Sequence, residues 1–153
     1  SLNEARAQEF GVKKTTLDKL LETSHFVSLH APLNETTQNM IGKNELNLMR
    51  NDAILINCAR GGLIEEKSLI EALSKNHIAG AALDVMVDLQ PAMDNKIIQL
   101  ENTLITPHTA FFSQESVLEL QEKAATSVAD VLQGKMPQNV YNKSVLTHSR
   151  VKI

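Results

Sequence analysis

Four short apolar runs constrain this chain more than anything else in it. They are FVSLH (26–30), AILINC (53–58), IAGAALDV (78–85) and TLIT (103–106). Each is too brief for a helix and continuous rather than alternating, which is how strands of a buried parallel sheet read. Helical patterns lie between and around them. Lys43–Met49 is short, Glu65–Lys75 places Leu69, Ile70, Ala72 and Leu73 on one face, and Ser113–Gln133 has a serine N-cap and Gly134 beyond its end. Upstream, Leu2–Phe10 closed by Gly11 and Leu17–Glu22 read as helices, and Val12–Thr15 as a short strand. Segments 34–38 and 86–95 are irregular, and Gln138–Tyr141 reads as a last extended piece. Strands alternating with helices predict an α/β domain whose parallel sheet is covered on both faces.

Composition narrows the function. With 153 residues the chain fits one domain, and aromatics at 3% require an aliphatic core. A net charge of −3 without a basic patch gives no support to nucleic-acid binding. No apolar run reaches the roughly 18 residues of a membrane span, and the start has no signal-peptide core. The absence of an initiator Met suggests a processed or partial polypeptide. The single cysteine, Cys58, is read as a small buried residue rather than a nucleophile, and its solitude suggests a reducing, cytoplasmic setting. His25, His77 and His148 lack metal-ligand spacing, so no metal is expected.

In a parallel α/β sheet, ligands bind beyond the carboxyl ends of the strands. The residues there are His30, Ala31 and Pro32, then Ala59 and Arg60, then Asp84, then Pro107, His108 and Thr109. A guanidinium grips a carboxylate with two hydrogen bonds. An imidazole passes a proton to a carbonyl oxygen, and a carboxylate accepts the amide hydrogen of a nicotinamide. His30 reads as structural.

The runs VSLHAPLNETTQNMI, LINCARGGLIEEKSLIEAL, AGAALDV, TPHTA and LQGKMPQNVYN, in this order, resemble the D-isomer-specific 2-hydroxyacid dehydrogenases over roughly residues 10–142. The resemblance implies a Rossmann-like, doubly wound parallel sheet, incomplete at its N-terminal, phosphate-binding side. It implies a partial NAD-binding domain over residues 1–142 and a tail, 143–153, leading toward a substrate domain outside the chain. It implies NAD as cofactor and a homodimer. The implied reaction interconverts a D-2-hydroxy acid and its 2-keto acid by hydride transfer, an activity attributed to the longer parent rather than to these residues alone. By the same resemblance, Arg60 binds the substrate carboxylate and His108 shuttles the proton. Asp84 contacts the nicotinamide carboxamide, the Cys58–Ala59 backbone lines the ribose, Ala31 and Pro32 border the adenosine, and Ala110 lies beside the nicotinamide.

Two departures stand out. The family's GxGxxG turn, and the acidic residue about 20 positions later that reads the ribose, have no counterpart among glycines 11, 42, 61, 62, 80 and 134, which leaves NADP open. The glutamate that the family pairs with its histidine is replaced by Gln90, or by Leu89 if the spacing is counted from Asp84, with Asp88 the nearest carboxylate. A carboxylate stabilises a charged imidazole. Gln90 orients the ring without charge, so an acid limb at lower pH is expected. The alternative is a catalytically degenerate relative acting as a cofactor-sensing or protein-interaction module.

Overall fold

The computed structural model describes residues 3–88 and 91–147. They form two compact units that divide between Ala110 and Phe111.

The first unit opens with α1 (Glu4–Glu9) and α2 (Leu17–Thr23), N-capped by the side chains of Asn3 and Thr16. The four apolar runs become β1 (Phe26–Leu29), β2 (Ile54–Asn57), β3 (Gly80–Leu83) and β4 (Thr103–Ile105). All pair in parallel in the order β1-β2-β3-β4, so each crossover steps to the next strand in the same direction. This is the sequential winding of a Rossmann-like sheet. The crossovers carry α3 (Lys43–Leu48) and α4 (Glu66–Ser74). Helix α4 ends where Asn76 turns left-handed at φ 52°, and its last carbonyls are taken up by the Asn76 and His77 amides.

Register explains the core. Val27, Leu55 and Ala81 lie side by side, as do Leu29, Asn57 and Leu83, and all six are buried. They belong to one cluster with Leu21 of α2, Leu46 of α3 and Leu69 and Leu73 of α4, apart from the polar Asn57. Fully burying one such leucine contributes roughly 2 kcal/mol. The other face carries Phe26 beside Ile54, and Ser28, Ile56, Ala82 and Leu104 in one row. Phe26 and Leu104 there are 67% and 66% exposed. The strands are thus apolar on both faces, as the sequence predicts, while within this unit β1 and β2 bury most deeply on one.

The second unit is built on α5 (Gln114–Leu132), whose N-cap Ser113 accepts the Ser116 amide. Gly134, at φ 70°, closes it: the Gly134 and Lys135 amides donate to the carbonyls of Val131 and Asp130. No residue of α5 is buried.

One predicted strand is absent. Residues 12–15 join no ladder, and the Val12 amide is taken by the Ala7 carbonyl at the end of α1. Residues 138–141, read as an extended piece, join no ladder, with bends at Gln138 and Tyr141. Among the described residues no helix is long and apolar enough to cross a membrane.

Candidate functional site at the carboxyl edge of the sheet

Parallel pairing brings all four strand ends to one edge, with Leu29, Asn57, Leu83 and Ile105 in register. The predicted residues follow directly. Ala31, half-buried, and Pro32, exposed, come after β1. Exposed Cys58, half-buried Ala59 and exposed Arg60 come after β2. Buried Asp84 follows β3, and exposed His108 and Ala110 follow β4. The ends of β2 and β4 are two strand spacings apart, roughly 10 Å, a span that a small 2-keto acid and a nicotinamide ring can bridge together. Gln90 lies outside the described residues.

The expectation that Cys58 is buried is corrected. Strand β2 ends at Asn57, so Cys58 is the first residue beyond the buried row.

Asp84 is the structural centre of the edge, 4% exposed. Its Oδ1 accepts the Thr106 hydroxyl at 2.5 Å and the Thr109 amide at 2.8 Å, and its Oδ2 accepts the Ala110 amide at 2.9 Å. Its main-chain carbonyl accepts the His108 amide at 2.9 Å. Burial pushes the carboxyl's pKa up. The Thr106 hydroxyl, the Ala110 and Thr109 amides and the field of His108 outweigh burial and hold it below the usual carboxylate range. A carboxylate has about four lone-pair sites. Three of them are occupied within the chain.

These bonds shape the His108 loop. His108 sits at φ +55°, a left-handed conformation that is strained for a residue with a Cβ and concentrates at functional positions. A cavity of about 210 Å³ opens beside it, lined by Asp84, Met86, Asp88, Pro91, Thr106 and His108. One cavity therefore has Asp88 and His108 in its walls.

The loops are strapped in series. The Asn39 and Ile41 amides donate to the Gly62 and Leu63 carbonyls, joining the loop after β1 to that after β2. Gly61 lies so close to the next loop that a Cβ there would stand 2.1 Å from the Met86 carbonyl carbon. Sequence reasoning counts Gly61 only among the glycines outside a GxGxxG turn, since nothing in the string says which backbone approaches it. Gly61→Ala must displace main chain rather than a flexible side chain, and is expected to destabilise by about 3 kcal/mol. Equilibrium urea unfolding checks this; an unchanged midpoint would refute the close approach.

Sequence reasoning also passes over Asn57, which is fully buried. The available signal is an asparagine closing an otherwise apolar run, since a buried amide must find partners.

The arrangement can hold a carboxylate, move a proton and accept an amide N–H along one edge. A family model described as "D-isomer specific 2-hydroxyacid dehydrogenase, NAD binding domain" matches residues 1–110. A glyoxylate reductase of Korarchaeum cryptofilum is 40% identical over 139 residues, which are 91% of this chain and 42% of that protein. A D-3-phosphoglycerate dehydrogenase of Methanocaldococcus jannaschii is 40% identical over 141 residues, 89% of this chain and 26% of that protein. The structure of D-lactate dehydrogenase with NAD+ from Lactobacillus jensenii superposes with a TM-score of 0.82 at 33% identity, over 93% of this chain and 46% of that one. The chain thus spans less than half the length of these relatives. It belongs to the D-isomer specific 2-hydroxyacid dehydrogenase family, which it joins through the NAD binding domain.

Proposed function

We propose that this chain forms the nicotinamide side of an NAD(H)-dependent oxidoreductase that interconverts a D-2-hydroxy acid and its 2-keto acid. The observation that supports this most is the placement of Arg60, Asp84 and His108 beyond three neighbouring strands at one sheet edge. The residues present suit the nicotinamide half of the cofactor. Asp84 contacts the carboxamide, Cys58 and Ala59 offer turn backbone to the ribose, Ala31 and Pro32 border the adenosine side, and Ala110 lies beside the nicotinamide. When bound, NADH supplies the hydride that reaches C2 of the keto acid.

The protein's own groups do the rest. Arg60 spends one Nη1–H on the Ala59 carbonyl at 2.6 Å. Four of its five N–H groups remain, enough for a two-point grip on the substrate carboxylate. His108 donates a proton to the C2 oxygen as the hydroxyl forms, and takes it back in the reverse direction. Asp88, in the wall of the same cavity, supplies a carboxylate where Gln90 cannot. The exposed apolar residues of α5, Leu118, Leu120, Val128 and Leu132 among them, support a homodimer. The lone cysteine supports a reducing, cytoplasmic setting.

The second reading is a catalytically degenerate, cofactor-sensing or protein-interaction relative, favoured by Gln90 where the family places glutamate. The first test is an NADH titration read by direct excitation of the dihydronicotinamide, which is clean because the chain has no Trp. Saturable binding tighter than about 1 mM, or about −4 kcal/mol, is expected. Its absence would refute the claim that these residues hold the cofactor without a glycine-rich turn. Binding without turnover of any 2-keto acid would favour the second reading.

A further inference from the structure

Strand β2 ends on a polar side chain at a position with no solvent access: Asn57 is 0% exposed. A buried carboxamide is costly unless both its ends are bonded. Here both are bonded, and both within the same turn. Asn57 Oδ1 accepts the Ala59 amide at 3.0 Å, and Asn57 Nδ2 donates to the Arg60 carbonyl at 3.0 Å. One side chain therefore closes the Cys58–Arg60 turn from inside. Its main-chain carbonyl accepts the Asp84 amide at 3.0 Å, which ties the same residue to the strand end that organises the His108 loop. Immediately after the turn, the close approach of Gly61 to Met86 fixes where the chain goes next.

We infer that Asn57 is the positioning residue of Arg60: its buried carboxamide sets the turn that aims the guanidinium along the sheet edge, so carboxylate affinity depends on a side chain that never touches the substrate. The inference rests on Arg60 being the carboxylate grip proposed above. The bonding pattern is specific to asparagine. Aspartate keeps the acceptor for Ala59 but turns a lone pair toward the Arg60 carbonyl. Serine keeps an acceptor and cannot reach with a second group. Leucine fills the space, strips the Ala59 amide of its acceptor and leaves the Arg60 carbonyl with only the Leu63 amide.

The test uses the protein saturated with NADH and titrated with glyoxylate as the probe, following the Arg60 Nε–H signal by nitrogen-15 NMR. Asn57→Asp is expected to weaken glyoxylate binding at least about tenfold, and NADH, which meets the same turn only at the ribose, by clearly less. Asn57→Ser serves as the second variant. In an Arg60→Ala background, glyoxylate affinity measured by calorimetry should be insensitive to Asn57→Asp, because the two residues act as one unit. Wild-type glyoxylate affinity in Asn57→Asp, or equal weakening of NADH and glyoxylate, would overturn the inference and leave Arg60's role standing. Failure of both variants to fold would reduce Asn57 to a folding residue and also overturn it. An Arg60 signal indifferent to glyoxylate in the unmodified protein would instead remove the reading of Arg60, and the inference with it.

Discussion

Asp84→Ala is expected to destabilise the first unit by about 4 kcal/mol, since it strips the Thr106 hydroxyl and the Thr109 and Ala110 amides of a charged acceptor at a buried position. For a chain of this size that is a fall of roughly 12 °C in the thermal midpoint. Asp84→Asn should lose somewhat less. Its oxygen can still serve Thr106 and Thr109, but its amide nitrogen then faces the Ala110 N–H, donor against donor. The pH dependence has a definite sign. Because the folded pKa of Asp84 is held below its unfolded value, its stabilisation is complete above the unfolded value of about 4 and is lost as pH falls through the folded value. Wild type should therefore lose stability on acidification below pH ~4 more steeply than Asp84→Asn. The other carboxyls with lowered values, such as Asp52, Glu71 and Glu119, lie in exposed ion pairs that contribute little and are common to both proteins. Urea unfolding of the two at pH 7 and pH 3 measures the difference. Parallel losses would show that the Asp84 carboxylate is not the anchor of the His108 loop.

This role for Asp84 shows where sequence reasoning stops. The strands were legible because their apolar runs end in residues that break a sheet, such as the proline that follows His30 by two and the one that follows Thr106. Helix α5 was legible because Ser113 and Gly134 bracket an amphipathic stretch. The site edge followed once the strands were taken as parallel, because that alone sends Arg60, Asp84 and His108 to the same side. What a sequence does not carry is which partner a group has already taken. Asp84 reads as a ligand contact, whereas three of its lone pairs serve its own chain. Gly61 reads as a loop glycine, whereas the Met86 backbone leaves no room for a Cβ. Asn57 disappears inside an apolar run although it closes the Arg60 turn. Val12–Thr15 has strand composition, but a strand exists only by pairing, and the Val12 amide is already used at the end of α1.

Replacing His108 separates its chemistry from its backbone. Most residues at φ +55° would strain the loop, so an alanine variant would mix lost chemistry with lost geometry. Asparagine adopts the left-handed region readily and has no titratable proton near neutrality. His108→Asn should leave the Asp84 bonds to the Thr109 and Ala110 amides in place, since they involve the main chain of the loop. The thermal midpoint should then stay within about 2 °C, and NADH affinity should be unchanged. Turnover of a 2-keto acid should nevertheless fall by about 10²–10⁴-fold in kcat, the range expected when a general acid–base group is removed. The split between kcat and KM carries the argument. Arg60→Ala should act mainly on substrate affinity, because a guanidinium grip exists in ground and transition states alike, whereas the proton from His108 is needed only as the C2 oxygen takes on charge. Undiminished kcat in a folded His108→Asn protein would remove His108 from the proposed chemistry and leave its left-handed backbone without a functional reason.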